Sequence, residues 1–391
     1  MKIVDVCAFY SPKGGGVRTY VDRKLIEGPR LGHEIVVIAP GPESRIEHRG
    51  PGARIIWLKS PRFILDGNYH YFADAAELHA KLDEVAPDVV EASSPWRSAS
   101  MVADWRGHAT RSLVMHADPL AAYAYRWFEM LADRPTIDRG FDVYWRHLRR
   151  LSQSFDTVIS ASESLSTRLR NGGIGGVNTL PMGVEPGVFS PAHRQPALRA
   201  QLLDMCGLGN NAVLLAGVGR HAPEKRWPMI IEAVTAAQYS TPIGLVLIGD
   251  GRERSRLVRQ IGNNPHIQLL APIADRQALA AIMASADALV HGCEAETFCM
   301  VAAEAAASGL PLIAPDQGGA SDQAEANGGR CFRSGSAADA ARVILDFARS
   351  DLLASRPMVV AGASRTRTMQ AHFADLFQHY DDARRSLRSA A

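Results

Sequence analysis

The sequence predicts an α/β protein of two domains, each with a parallel β-sheet. Its 391 residues, 47% of them apolar, are enough for two hydrophobic cores. Short apolar runs bounded by Gly, Pro or Asp recur through both halves, and the stretches between them are long enough for a helix. This alternation is typical of parallel strands joined by crossover helices. It restarts after residues 183–191, which are rich in Gly and Pro, so we interpret that segment as a linker between domains 1–186 and 187–370.

Each apolar run is a predicted strand, and the tail from about residue 352 onward has a helical pattern. The first-half strands are predicted at 3–9, 34–39, 54–58, 89–92, 113–116, 157–160 and 178–180, and those of the second half at 213–218, 245–248, 267–270, 288–291, 311–314 and 330–332.

Composition argues against several classes of protein. Lys and Arg number 43 against 41 Asp and Glu, so the charge balance gives no support to a nucleic-acid partner. Nowhere do 18 apolar residues follow one another, and Asp5 interrupts the first apolar run. We therefore expect no signal peptide, no membrane-spanning helix and a cytoplasmic location.

The cysteines are expected to be reduced thiols. The chain has no C-x-x-C pair and no histidine at metal-ligand spacing beside a cysteine, so we expect neither disulfides nor structural zinc. The five are Cys7, Cys206, Cys293, Cys299 and Cys331.

A glycine-rich loop follows the first predicted strand, at residues 10–19, and opens a helix. Gly15 and Gly16 allow a ligand to approach the backbone, and the helix start offers free amides to an anion. A diphosphate fits there. The alternative is a turn that only connects strand to helix, because the loop is neither a G-x-G-x-x-G fingerprint nor a P-loop.

A second charged loop, residues 218–226, follows the first strand of the second half. After Gly219, Arg220 offers a planar fork for two phosphate oxygens, and Lys225 adds a point charge suited to a leaving diphosphate. A solvated surface loop is the alternative. The loop lies at the carboxyl end of a leading strand, where α/β sheets bind ligands. This position favours the interpretation that the loop binds a diphosphate.

A third segment, residues 291–304, carries two carboxylates. Glu296 precedes a helix, whereas Glu304 lies within an otherwise apolar one and needs hydrogen-bond donors if buried, such as ribose hydroxyls. The alternative is a helix with one exposed glutamate. The helix-start amides available to a phosphate or sugar hydroxyl are those of Phe298, Cys299 and Met300.

Together these motifs resemble family 4 of the retaining GT-B glycosyltransferases. G-R-x-x-x-E-K at 219–225, E-x7-E at 296–304 and A-x-x-x-G-x-P at 305–311 occur in the family's order. The resemblance covers nearly the whole chain. It implies two Rossmann-like domains facing a central cleft, an acceptor domain and a donor domain, with a closing helix at about 371–391 that crosses back to the first domain.

The resemblance also implies roles for individual residues. Arg220 and Lys225 would hold the diphosphate, Glu304 the ribose, and Glu296 the transferred sugar or its neighbourhood. His116 matches the histidine that the family places against the donor sugar. Without the resemblance, a lone histidine at a strand end is more often structural than catalytic.

Two residues depart from the family pattern at the sugar subsite. Thr297 stands where Gly is more usual, and Cys299 where a small residue often does. Both departures lie at the subsite for the sugar, so they leave the identity of the donor sugar undecided. Backbone groups around residues 248–251 and 270–273, a region that includes Ile273, are expected to read the base, and the sequence does not distinguish guanine from uracil there.

The expected donor is a nucleotide diphosphate sugar, with GDP-mannose the first choice and a UDP-sugar the second. The chain has no D-x-D sequence, so protein cations would replace Mg²⁺ and we expect neither a required metal nor a cofactor. The competing hypotheses are a sugar-nucleotide epimerase and a non-catalytic nucleotide-sugar-binding protein.

The acceptor is expected to be a glycan or a lipid-linked sugar. Residues 57–72 and 123–150 are rich in aromatic residues and arginine, which suits contact with an anionic membrane surface. The alternative is that the aromatic residues form core and the arginines a solvated face.

Overall fold

The computed structural model describes residues 1–12, 15–63, 69–118, 120–128, 131–350 and 359–390. The chain divides into two compact units. The first comprises Met1–Asp118, Phe128–Pro181 and Met369–Ala391, and the second Pro119–Trp127 and Met182–Thr368. The second unit therefore includes residues 119–127, which the sequence-based division assigns to the first domain.

The first unit contains an eight-stranded sheet in the order β3-β4-β2-β1-β5-β6-β7-β8. All neighbouring strands are parallel except β3 and β4. The strands are β1 (Lys2–Val6), β2 (Glu34–Gly41), β3 (Arg45–Gly50), β4 (Ala53–Lys59), β5 (Val89–Ala92), β6 (Thr110–Met115), β7 (Thr157–Ser160) and β8 (Val177–Thr179).

The edge strand β3 was not predicted from the sequence. Its residues, RIEHRG, are mostly exposed and lack the apolar run that marks the other strands. Side chains at Trp57 add to its backbone pairing with β4: Arg45 stacks on the indole at 5.1 Å, and the indole Nε1 donates to Glu47 at 3.1 Å. An edge strand held in this way has little periodicity to reveal it.

The helices of the first unit include the end of the chain. The final helix, α15, packs on α1 through Tyr20, whose ring lies 5.1 Å from that of Phe373. His372 donates from Nδ1 to the Pro181 carbonyl at 2.9 Å, so its Nε2 accepts from the Tyr20 hydroxyl at 3.1 Å. The helices are α1 (Gly16–Arg30), α2 (Ala75–Val85), α3 (Arg97–Asp104), α4 (Arg126–Phe128, across the unit boundary), α5 (Arg134–Gly140), α6 (Asp142–Ser152), α7 (Glu163–Asn171) and α15 (Met369–Ala390).

The second unit contains a six-stranded parallel sheet in the order β11-β10-β9-β12-β13-β14. Its core includes Trp227 and the apolar residues of β9 and β10. The strands are β9 (Val213–Val218), β10 (Ile243–Ile248), β11 (Ile267–Leu270), β12 (Ala288–Val290), β13 (Leu312–Pro315) and β14 (Arg330–Phe332), and the helices α8 (Pro196–Met205), α9 (Trp227–Gln238), α10 (Arg254–Ile261), α11 (Arg276–Ser285), α12 (Met300–Ala307), α13 (Gly319–Ala326) and α14 (Ala337–Ala348).

The predicted α/β class is confirmed, and every predicted strand overlaps an observed one. The helical prediction for the tail falls partly on residues 352–358, which lie outside the described residues. Within the described ranges, no helix combines the length and apolar character needed to span a membrane.

Candidate active site

The loop after β9 presents Arg220 at the carboxyl edge of the second sheet. Gly219 precedes it with φ +156°, and a Cβ on Gly249 would lie 2.0 Å from the Gly219 carbonyl oxygen, so the two loops are in close contact. The Arg220 carbonyl accepts from Trp227 Nε1 at 2.9 Å, which anchors its backbone. Its side chain is 71% exposed and pairs with Glu224 at 3.1 Å. The guanidinium is therefore accessible to a ligand.

Lys225 and Glu296 form an ion pair in the same region. Lys225 Nζ bonds Glu296 Oε1, and the two side chains are 16% and 22% exposed. Burial opposes ionisation of both groups, but the Lys225 charge overcomes it and holds the pKa of Glu296 well below its usual range. Glu296 likewise raises the pKa of Lys225 against the effect of burial. Both groups are charged at neutral pH.

A second ion pair, which the sequence analysis did not identify, lies beside the first. Arg226 Nε approaches both carboxylate oxygens of Glu294, at 3.0 and 2.8 Å. Arg226 has φ +50°, a left-handed conformation, and precedes α9 directly. The sequence offered one signal for this second pair, which was spacing. Lys225 and Arg226 are adjacent cations, and Glu294 and Glu296 are carboxylates two residues apart.

Glu304 is buried in α12 and accepts a hydrogen bond from Arg276. The Arg276 Nη2 lies 2.6 Å from Glu304 Oε1, and its Nε lies 3.7 Å from Glu185. Burial raises the pKa of Glu304 although Arg276 opposes the shift. The expected need for a donor is met by a protein guanidinium, and the ribose role remains a prediction.

The remaining predicted donor residues also belong to the second unit. Cys299 precedes α12 in a left-handed conformation with φ +66°, and Met300 begins the helix. Phe298 is buried, and Ile273 is half-buried in the loop between β11 and α11. Residues 219–225, 273 and 296–304 therefore all belong to the second unit. They lie in loops or helices that follow parallel strands.

His116 and the glycine loop belong to the first unit. His116 directly follows β6, and its ring meets that of Tyr20 edge-on at 4.8 Å. Burial and the Lys24 charge lower the pKa of His116 to about 4, so its imidazole is neutral at neutral pH. Gly15 precedes α1, which begins at Gly16, and a Cβ at Gly15 would have no described atom within 4 Å. Lys13 and Gly14 lie outside the described residues.

A fully buried charge network lies near His116, and the sequence analysis missed it. Lys24 Nζ lies 2.7 Å from Asp5 Oδ2 and 2.7 Å from Glu91 Oε1, with all three side chains fully buried. Burial raises the pKa of Glu91 to about 7 against the effect of Lys24. The sequence signal was a carboxylate between apolar residues in each of two strands, Asp5 in β1 and Glu91 in β5.

The prediction of reduced cysteines agrees with the structure, whereas the expectation of no structural zinc stays a prediction. All five cysteines, each within the described part of the chain, are free thiols. Although no histidine is adjacent in sequence, the fold brings ligand atoms of His291, Glu296 and Cys299 within 4.8 Å of one another. The loop between β12 and α12 folds back on itself and produces this cluster.

The aromatic and basic segments contain both core and surface residues. Trp57 and Trp145 are buried, whereas Phe128 is exposed. Arg146 and Arg150 on α6 are exposed. The side chains of Tyr123 and Arg126 lie outside the described part of the chain. The interpretation that the aromatic residues form core therefore accounts for the buried tryptophans. The interpretation as a membrane-contacting surface is compatible with the exposed residues.

Comparison with known proteins matches each half of the chain to a glycosyltransferase family model. The family model described as Glycosyl transferases group 1 matches residues 207–359, and the one described as Glycosyltransferase Family 4 matches residues 14–188. A GDP-mannose-dependent alpha-mannosyltransferase of Mycobacterium tuberculosis is 30% identical over 325 residues, 82% of this chain and 81% of the relative. A GDP-mannose-dependent alpha-(1-6)-phosphatidylinositol dimannoside mannosyltransferase of the same species is 27% identical over 332 residues, 85% and 84% of the two chains. The solved sucrose-phosphate synthase of Thermosynechococcus elongatus has a TM-score of 0.74 at 19% identity and covers 100% of both chains.

These matches define the class: the chain is a nucleotide-sugar-dependent glycosyltransferase with the GT-B fold. The two sheets, the cation-rich loop after β9 and the carboxylate-bearing loop after β12 agree with that class. More particularly, the chain belongs to family 4 of the glycosyltransferases, since the model of that family matches residues 14–188 and a mannosyltransferase is 30% identical across 82% of the chain.

Proposed function

We propose that this enzyme is a retaining mannosyltransferase that takes mannose from GDP-mannose without a metal ion and transfers it to a glycan or lipid-linked acceptor. The observation that carries the proposal is the arrangement of Arg220 and the Lys225–Glu296 pair in the second unit. The donor assignment is supported by relatives described as GDP-mannose-dependent, one of them 30% identical.

Transfer of a sugar places growing negative charge on the departing diphosphate. The exposed Arg220 guanidinium is available for bidentate contact, and Lys225 adds an ammonium that Glu296 keeps charged. Preorganised cations of this kind stabilise a transition state without reorganising. They are the groups that would act in place of Mg²⁺.

Glu296 is suited to accept hydrogen bonds from the sugar rather than to supply a proton. Its carboxylate is ionised and already contacts Lys225, so its remaining acceptor capacity is open to sugar hydroxyls. The imidazole of His116 is neutral at neutral pH and has one donor and one acceptor nitrogen, and its contact with the donor sugar stays an implication of the family resemblance. In the proposed retaining reaction, the acceptor attacks from the face that the diphosphate leaves, and a departing phosphate oxygen takes the acceptor's proton.

Ligand-induced thermal stabilisation tests the donor and the metal requirement together. A ligand present at 100 times its Kd stabilises the folded state by about 2.7 kcal/mol. We expect the melting temperature to rise with GDP and GDP-mannose, to be indifferent to EDTA, and to lose the rise in Arg220→Ala. Arg342→Ala is the matched control, because Arg342 is similarly exposed and pairs with Asp339 and Asp346 on α14.

Each other outcome points to a different correction. A shift with UDP-sugars alone would overturn the mannosyl donor, and a shift abolished by EDTA would overturn metal independence. Conversion of the free sugar nucleotide without an acceptor would indicate an epimerase. No shift with any nucleotide would favour a non-catalytic role. The anomeric configuration of the product, read by NMR, tests retention.

A lipid-linked acceptor would place the enzyme at a membrane surface, and α6 is the element to test. Val143 on this helix is 70% exposed, and Arg146 and Arg150 are exposed on the same helix. An arginine near an anionic surface contributes about 1 kcal/mol, so Arg146→Ala/Arg150→Ala is expected to weaken binding to anionic vesicles by about 10–30-fold. Arg149 is kept because it donates to the Gly172 carbonyl at 3.0 Å.

The control for vesicle binding is Arg342→Ala/Arg349→Ala, which removes two exposed arginines around α14. Cosedimentation with phosphatidylserine vesicles measures both variants. Equal binding by the α6 variant and the unsubstituted chain would contradict membrane contact through α6.

A further inference from the structure

We propose that His291, Glu296 and Cys299 form a binding site for a soft divalent cation, best matched by Zn²⁺, and that the ion inhibits the enzyme by taking Glu296 from Lys225. Binding of the ion is independent of the proposed function. The inhibition rests on that function, so the two are measured separately.

The three side chains offer the ligand set that zinc prefers. An imidazole nitrogen, a carboxylate oxygen and a thiol sulfur lie within 4.8 Å of one another, and His291 Nε2 is 3.4 Å from Glu296 Oε1. Zinc binds such atoms at about 2.0–2.3 Å, which places tetrahedral ligands roughly 3.4–3.7 Å apart. The cluster therefore needs side-chain adjustments of about 1 Å, and three protein ligands leave a fourth position for water.

His291 supplies the second, independent indication. Its side chain is 1% exposed, yet Nδ1 has no hydrogen-bond partner among the residues that the structure describes, and Nε2 has the long approach of 3.4 Å to Glu296 Oε1. A buried polar group without a partner destabilises the fold, so coordination to a metal would satisfy a nitrogen that is otherwise unpaired.

Cys299 is held in place by an unusual backbone. Its φ of +66° is left-handed, a conformation that glycine adopts freely and that costs other residues about 1–2 kcal/mol. Glycine at this position would keep the backbone and remove only the thiol. The structure thus provides a variant, Cys299→Gly, that deletes a ligand without disturbing the start of α12.

Binding exchanges one cation for another around Glu296. Lys225 contacts this carboxylate and opposes an incoming ion, so Lys225 must move away as the ion bonds Glu296. The Cys299 thiol loses its proton to solvent as the sulfur–metal bond forms. Arg226 stays paired with Glu294 and does not compete for Glu296.

The test is a titration of the full-length chain with Zn²⁺ in competition with a chromogenic chelator, and with Co²⁺ to detect thiolate coordination by absorption. We expect one ion per chain and a thiolate-to-cobalt absorption band. In Cys299→Gly, affinity is expected to fall by at least about tenfold and the band to vanish. Cys293→Ser is the matched control, because Cys293 is a buried thiol of the same loop outside the three-residue cluster, and it should bind normally.

The outcomes separate the site from its effect. No binding, or binding unchanged in Cys299→Gly, would overturn the site. Binding without competition against GDP or GDP-mannose in the thermal-shift assay would overturn the inhibition. Failure of every nucleotide to bind would contradict the proposed function while leaving the zinc and cobalt titrations as the test of the site.

Discussion

Lys225→Met is expected to lower kcat/KM with GDP-mannose by about 10²–10³-fold, with most of the loss in kcat. Removing one preorganised donor from a developing negative charge has a cost of this size. A loss confined to the transition state lowers kcat and kcat/KM together, whereas loss of ground-state binding raises KM. Steady-state kinetics of the folded variant measure both terms.

The same substitution leaves the Glu296 carboxylate without its cation, so stability must be measured alongside activity. Lys225→Met/Glu296→Gln removes both charges and is expected to recover the melting temperature but not the rate. Arg342→Met, on an exposed arginine of the same unit, is the control and should leave the rate unchanged. A Lys225→Met enzyme with near-normal kcat would contradict the role of Lys225 at the diphosphate.

Lys24→Met is expected to destabilise the first unit by about 3–5 kcal/mol. The substitution leaves the carboxylates of Asp5 and Glu91 fully buried without their shared cation, and breaking a buried pair from one side costs about this much. For a domain of this size the melting temperature should fall by roughly 6–20 °C. Differential scanning calorimetry of the full chain measures the change.

Two further variants show whether unpaired buried charge causes the loss of stability in Lys24→Met. The neutral set Asp5→Asn/Lys24→Met/Glu91→Gln should recover much of the stability, because it leaves no bare charge. Lys81→Met, which breaks only the partly exposed pair with Glu84, should cost about 1 kcal/mol or less. Equal effects of Lys24→Met and Lys81→Met would show that the network contributes no more than a surface pair.

The pH dependence of stability provides a separate signature of the network. Because the pKa of Glu91 is raised from 4.5 to about 7, the folded protein holds a proton between these values that the unfolded chain has released. The stability from this group is complete below pH 4.5 and is lost as pH rises toward about 7. In Glu91→Gln that decline should be absent.

Much of the fold could be predicted because its signals are local. Buried parallel strands are continuous apolar runs, so β9 and β10 were located directly from the sequence. The edge strand β3 escaped because charged, exposed residues carry no such run. The grouping of residues 119–127 with the second unit also has no local signal, because it depends on which residues meet after the chain has folded.

By itself, the sequence determined the α/β class, the positions of most strands and the chemical character of the site, because periodicity, glycine positions and charged loops are properties of neighbouring residues. Only the tertiary structure decided which groups pair. Lys225 meets Glu296 across 71 residues, Arg226 meets Glu294 across 68, and Arg276 meets Glu304 across 28. The first two pairs form because β9 and β12 are neighbours in the sheet, an order set by long-range packing. The same loop geometry brings His291 to Cys299, which no spacing along the chain revealed.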